Sequence, residues 1–255
     1  MIEKKDILAD LHIHTIGSVH GFSTLNECIS SSVRNGMKYI AITDHYYEDG
    51  TEINKKNEIS RLVHLEHEAS QTMYDVRVIG GAEFNIGQDV ADWSKLEKLK
   101  WKLIGIHGWF LHRGSVDFDT VMQYYKSAAE KYKAFSHIER GLHKIGTTHP
   151  ESPLSNDIAE FLRSVVFLAK EKNVILEVNE SSLRLKKSGD YERMCYWIEI
   201  AKKNENIISL GSDSHYCENI GRFDCAIEFL NHFGFPKDRI LNCNKDMLED
   251  KFSAL

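Results

Sequence analysis

The chain has 255 residues, of which 42% are hydrophobic and 27% charged, with a formal net charge of −6 at pH 7. This is ordinary globular composition, enough for one large α/β domain over residues 1–255. The acidic balance, without a basic face, argues against a nucleic-acid backbone as partner. The segment Met1 to Asp6 lacks the apolar core of a signal peptide, and no apolar run reaches the length of a membrane span. The five cysteines (Cys28, Cys195, Cys217, Cys225, Cys243) are scattered and never spaced Cys-x-x-Cys, so a cytoplasmic protein with reduced thiols is expected. Histidine is the anomaly, with thirteen residues.

Ile7-Leu8-Ala9, with Leu11, reads as a buried strand that runs into His12-Ile13-His14. Residues two apart in a strand share a face, so the two imidazoles project together. Neutral imidazole is a common ligand for zinc-like cations, and His20 follows closely. Thr24-x-x-Glu27 forms a capping box ahead of a helix of roughly Leu25 to Asn35, which Gly36 stops. Tyr39 to Thr43 is a second strand, ending in Asp44-His45. Glu58 to Tyr74 carries Ile59, Leu62, Leu65, Ala69 and Met73 at helical spacing. Val76 to Ala82 is the third strand, ending in Glu83.

A short helix around Ser94 to Lys100 leads to the strand Lys102 to Ile106, which ends in His107. A long helix, about Asp119 to Ser136, precedes a fifth strand at Lys144 to Thr148, ending in His149-Pro150. Ile158 to Lys172 is helical and feeds the strand Val174 to Val178, ending in Asn179. Tyr191 to Asn204 is another helix, and Ile207 to Gly211 a seventh strand that ends in Ser212-Asp213-Ser214-His215. The tail adds a helix near Arg222 to His232, a short Arg239-Ile240-Leu241 segment and a last helix from about Lys245.

Strands alternating with helices imply a parallel sheet, because parallel strands need crossovers. Six of the seven strand ends carry His, Asp or Glu, and the other carries Asn179 with Glu177 two residues earlier. In a barrel the C-terminal strand ends gather at one mouth, which brings these residues together. An open doubly wound sheet is the alternative, since it collects strand ends along one edge.

His12-x-His14, His20, Thr43-Asp44-His45, Gly81-Ala82-Glu83, His107, His149-Pro150 and Gly211-Ser212-Asp213-Ser214-His215 resemble the PHP (polymerase and histidinol phosphatase) family, and most closely its stand-alone phosphatases of the YcdX kind. The likeness runs from Asp10 to Asn242. It implies a distorted (β/α)7 TIM-like barrel and three divalent metals, with zinc, manganese or iron all suited to these donors. By that resemblance His12, His14, Glu83 and Asp213 hold the first metal, Glu83, His107 and His149 the second, and His20, His45 and His215 the third. It further implies hydrolysis of a small phosphate monoester by a metal-bound hydroxide.

The remaining candidates are less determined. Asp44 is a candidate proton donor, although it and Asp10 each sit beside a ligand and more naturally orient or pack. Asn179 either touches substrate or holds a loop. Arg184, Lys186 and Lys187, expected in the loop after the sixth strand, are candidates for binding a phosphate dianion, and Arg113 beside His112 for the mouth. His64-Leu65-Glu66-His67 is not the protease pattern His-Glu-x-x-His and reads as a solvated helix face, while His137, His143 and His232 read as surface or satisfied core groups. The tryptophans read as core or loop anchors.

Rival readings are a dedicated histidinol-phosphate phosphatase, a PHP nuclease, an amidohydrolase-type C–N hydrolase, for which no metal-bridging lysine is found at a strand end, and a non-enzymatic metal-binding module. Oligomeric state is left open.

Overall fold

Seven strands lie parallel in chain order, each paired with the next: β1 (Ala9–Ile13), β2 (Tyr39–Ile42), β3 (Arg77–Asn85), β4 (Trp101–Gly105), β5 (Ala134–Phe135), β6 (Ile175–Asn179) and β7 (Ile208–Gly211). The computed structural model describes residues 1–18, 20–46, 64, 75–87, 96–107, 116–145, 152–186 and 189–252. The sheet closes beyond β7: Asp213 N donates to His12 O and His14 N to Ser214 O, each at 2.9 Å, where the end of β1 meets the residues just after β7. The expected barrel is therefore the observed one, and its seam lies beside the first two histidines.

The helices among the described residues are α1 (Leu25–Arg34), α2 (Phe118–Ala128), α3 (Asn156–Glu171), α4 (Glu180–Leu185), α5 (Asp190–Lys203), α6 (Asp224–His232) and α7 (Lys245–Phe252). Side-chain caps set several starts, as the sequence pattern implies. Thr24 and Glu27 close the capping box of α1, while Asp117 and Ser155 accept from backbone N–H groups at the starts of α2 and α3. The expected helix over Glu58 to Tyr74, apart from His64, and the start of the short one around Ser94 lie outside the described residues.

Two expectations are corrected. The fifth strand is Ala134–Phe135, inside the stretch expected to be helical, and Leu142–Lys144 is a single 3-10 turn. Helix α2 ends at Ala128 after 11 residues, a length of about 16 Å, which already matches a five-residue strand. The 18-residue helix expected from apolar periodicity overshoots that height. The stretch after β6 is also not a loop: Asn179 caps α4, its side chain accepting from Ser182 N at 2.9 Å.

Alternate strand positions face opposite layers. Ile40 and Ile42, Ala82 and Phe84, Ile104, Phe135, Leu176, and Ile208 and Leu210 pack in the larger core, under the helices. Ala9, Leu11, Ala41, Ile79, Trp101, Leu103, Ala134 and Ile175 form the second cluster, inside the barrel, with Leu248 and Phe252 of α7 stopping its lower end. Trp101 meets Phe252 edge to face at 5.6 Å and donates Nε1–H to Leu11 O. The inner positions above that plug are Thr43 and His45, Gly81 and Glu83, Gly105 and His107, Glu177 and Asn179, Gly211 and Asp213.

Lys102, on the outer face of β4, is buried, with Nζ donating to Leu99 O at 2.9 Å and Leu96 O at 3.3 Å. Burial lowers its pKa to about 8, with Lys133 nearby acting in the same direction. Between pH 8 and its unfolded value of about 10.4 the unfolded chain binds the extra proton, so stability from this group rises with pH over that window. Wild-type Tm, measured relative to Lys102→Met, should climb by about 2–4 °C from pH 8 to pH 10; a flat difference would place the amine in solvent.

Candidate metal centre

Strand β1 carries the first two ligands only because its register slips. Its pairing with β2 shifts between Asp10 and Ile13, where Leu11 packs inside the barrel and Ile13 outside. A bulge there re-aims the side chains, so His12 and His14 both point inward above Leu11. Their Nε2 atoms lie 3.0 Å apart. His12 Nε2 is 3.3 Å from Glu83 Oε2 and 3.8 Å from Asp213 Oδ1, and His14 Nε2 is 3.4 Å from each of those oxygens. Four donors bound tetrahedrally at zinc distances stand about 3.3 Å from one another. The donor set fits one divalent cation.

Glu83 faces a second group with its other edge. Oε1 lies 2.8 Å from His137 Nε2 and 3.4 Å from His107 Nε2, while His45 Nδ1 is 3.2 Å from Oε2. His45, Glu83 and His107 offer donors within one cation's reach, and so do His14, His45 and His215. His20 stacks on His215 at 4.4 Å between ring centroids and lies 5.0 Å from His45, at the exposed edge. Buried nitrogens here lack hydrogen-bond partners among the described residues, including His215 Nε2, as donors for a cation would.

His137 is the residue the sequence reading missed. It is buried at the end of β5, where the misplaced strand had put His149, which lies outside the described residues. The signal was Ala134-Phe135-Ser136-His137: an apolar pair followed by polar residues, too short to stand out from helical periodicity. His137 has φ 30° and Asp213 φ 50°, so two candidate ligands occupy the left-handed region that non-glycine residues seldom adopt. Such strain collects where a site over-determines the backbone.

Carboxylates behind the imidazoles fix their orientation. Glu177 Oε2 accepts from His12 Nδ1 at 2.8 Å, which leaves Nε2 free to coordinate. His14 Nδ1 meets Ser18 Oγ at 3.1 Å, and Ser18 in turn donates to Asp44 Oδ1 at 2.9 Å. Asp44 also accepts from Thr15 N and Thr15 Oγ1 and so holds the loop after β1, the orienting role weighed for it beside that of proton donor. Asp10 accepts from Ser212 N and Gly221 N, tying β1 to the β7 loop. Two glycines make room: a Cβ on Gly211 would come within 2.5 Å of His12 Cβ and 2.6 Å of Glu177 Oε2, and one on Gly105 within 2.5 Å of the His137 ring.

Arg140, which sequence reading also missed, bounds the mouth. Its Nη2 donates to Asp213 Oδ2 at 2.9 Å and Asn179 Oδ1 at 2.8 Å, and its Nε to Ser182 Oγ at 2.7 Å. Burial opposes ionisation of Asp213, but Arg140 and then His12 hold its carboxyl well below the usual range. Burial likewise works against the Glu83 carboxylate, and the surrounding imidazoles, His12 first, outweigh it. His12 moves the other way: burial disfavours its cation, yet Glu177, Glu83 and Asp213 raise it well above the ordinary value. Burial lowers His45 to about 2 and His215 to about 4, so both are neutral donors at pH 7.

A PHP domain matches residues 10–232 of the chain. This protein belongs to the PHP family. A probable phosphatase of Proteus mirabilis is 33% identical over 249 residues, 96% of this chain and 94% of that protein. A probable phosphatase of Clostridium acetobutylicum is 27% identical over 251 residues, 97% and 95% of the two chains. Histidinol phosphate phosphatase of Lactococcus lactis, solved with zinc, L-histidinol and phosphate, superposes with a TM-score of 0.60 at 16% identity, covering 89% of this chain and 94% of its own. That likeness is one of fold.

The PHP barrel thus brings together His12, His14, His20, His45, Glu83, His107, Asp213 and His215, all expected from sequence, and adds His137. Asn179 lies at the rim, donating to Glu177 Oε1 at 2.9 Å and Asp213 Oδ2 at 3.3 Å. Arg184 is exposed near the end of α4, where its charge acts on Glu180, and Lys186 lies 5.8 Å from the Tyr191 ring. Lys187, His112 and Arg113 lie outside the described residues. Elemental analysis should find less bound metal in His137→Ala and wild-type content in His143→Ala, whose imidazole is exposed on the turn after β5. Glu177→Gln, which loses the charged partner of His12, should weaken metal affinity about 10- to 100-fold, read by chelator competition.

Proposed function

We propose that this PHP protein is a metal-dependent phosphatase that cleaves small phosphate monoesters at a centre of three divalent ions. PHP is a phosphoesterase family, and the observation that carries the reading is Glu83, whose two carboxylate oxygens face two different sets of imidazoles. His12, His14, Glu83 and Asp213 would hold one ion; Glu83, His107 and His137 a second; His45, His215 and His20 a third. Zinc, manganese and iron all accept this imidazole and carboxylate set. Bound cations would supply Lewis acidity toward the phosphate oxygens and toward a water whose pKa they lower to about 7.

The chain's own residues do the rest. Arg140 presents a guanidinium beside the ligand Asp213, positioned by Asn179 and Ser182, where it can donate to a phosphate dianion. Glu177 holds the His12 ring, and Ser18, anchored by Asp44, holds His14. The two carboxylates Glu83 and Asp213 offset part of the cationic charge. In this reading Arg140 joins Arg184, Lys186, Lys187 and Arg113 as a phosphate-binding candidate, and it is the one that donates to Asp213.

Prolonged chelation should abolish hydrolysis of an aryl phosphate and added zinc or manganese should restore it; full activity in metal-stripped protein would refute the reading. A panel including histidinol phosphate, a phosphodiester and an amide separates the rival activities. Glu83→Gln should lose more metal and more rate than Asp10→Asn, because Asp10 accepts from Ser212 N and Gly221 N behind the centre. Arg140→Ala should lower kcat/KM about ten- to a hundred-fold, the worth of one charged hydrogen bond, mainly through KM.

A further inference from the structure

The mouth of the centre opens into a cavity of about 340 Å³. Its lining is polar at Asp213, His215, Arg140, Ser181 and Asp190 and apolar at Phe22 and Leu185. Phe22 is 76% exposed and Leu185 55%. Among the described residues nine large hydrophobics are exposed, and four of them (Ile16, Phe22, Leu185, Tyr216) sit on segments that follow β1, β6 and β7. That concentration at the mouth needs a cause. Phe22 is fixed there, its backbone N–H donating to His215 O at 2.8 Å, so the ring is carried by the same loop pairing that positions a ligand.

Among the described residues that line the cavity, Arg140 is the only permanent cation, and Asp213 already neutralises it. A substrate with a second phosphate or a carboxylate on its alcohol finds no second cationic side chain among the described residues of the lining. We infer that the cavity selects monoesters of apolar alcohols: the phosphate sits on the polar floor, and a hydrocarbon chain lies against Phe22 and Leu185. This deepens, and rests on, the phosphatase reading above. A polyol loses hydration against those two side chains without recovering hydrogen bonds, so discrimination follows from desolvation as well as from contact.

Binding tests the inference independently of turnover. For protein loaded with zinc, n-pentylphosphonate should bind at least about tenfold tighter than methylphosphonate, as partial burial of four methylenes requires. In Phe22→Ala/Leu185→Ala that ratio should fall to within about threefold of one, while methylphosphonate binds as in wild type. Hydrolysis should follow the same order, with n-hexyl phosphate exceeding glycerol 1-phosphate in kcat/KM although glycerol is the better leaving group. A wild-type binding ratio near one, or a ratio that the double variant leaves unchanged, overturns the inference. Sedimentation decides the rival occupant: a wild-type dimer that the double variant dissociates, with the ratio unaltered, makes the rim a contact between copies and also overturns it. Discrimination between the phosphonates without turnover of any monoester would sink the phosphatase reading and leave the apolar cavity standing.

Discussion

The carboxylate of Glu83 is the point on which the site depends. It is buried inside the barrel, and imidazoles of His12, His14, His45, His107 and His137 approach its two oxygens from four strand ends. A lone carboxylate so placed would be costly, since burial alone drives its pKa up. Surrounded by five nitrogen donors it has the surroundings that the proposed bridging role requires. The imidazoles in turn cannot all be protonated at these separations: burial keeps His45 and His215 neutral, while the carboxylates favour the His12 cation. Carboxylate and imidazoles each make the other tolerable.

That arrangement needs space, and the barrel interior provides it in layers. Apolar inner residues and α7 fill the lower half, with Trp101 packed on Phe252. Glycines then take inner positions directly beneath ligands: Gly81 below Glu83, Gly105 below His107, Gly211 below Asp213. Any Cβ at Gly105 or Gly211 would run into a ring or carboxylate of the centre. The rim is tied by a chain of contacts from Glu177 through Asn179 to Asp213 and Arg140, so the wall that orients His12 also aims the guanidinium into the mouth. The strained backbones of His137 and Asp213 are held within this frame.

Much of this was legible in the sequence because it is local. Period-two alternation, capping residues and strand-length apolar runs marked six of the seven strands and the helices α1, α3, α5, α6 and α7, and residue type at the strand ends marked nine ligand candidates, of which all but His149 lie among the described residues. Those signals depend on a few neighbouring residues and survive without knowledge of what packs where.

What the tertiary structure alone decided are the features set by distant partners. A two-residue strand, Ala134–Phe135, has too few residues to carry a periodicity; it is a strand because β4 and β6 pair with it on either side. His137 becomes a member of the site through that pairing and a left-handed turn, neither of which its own neighbours specify. Arg140 gains its role from Asp213 and Asn179, 73 and 39 positions further along the chain, whereas Arg184, conspicuous in a basic stretch, is carried onto the outer side of a helix that an asparagine cap initiates. Sequence specifies which chemistry is present at each strand end; closure of the barrel decides which of those groups stand within a few ångströms of one another, because only the closed sheet converts separation along the chain into proximity.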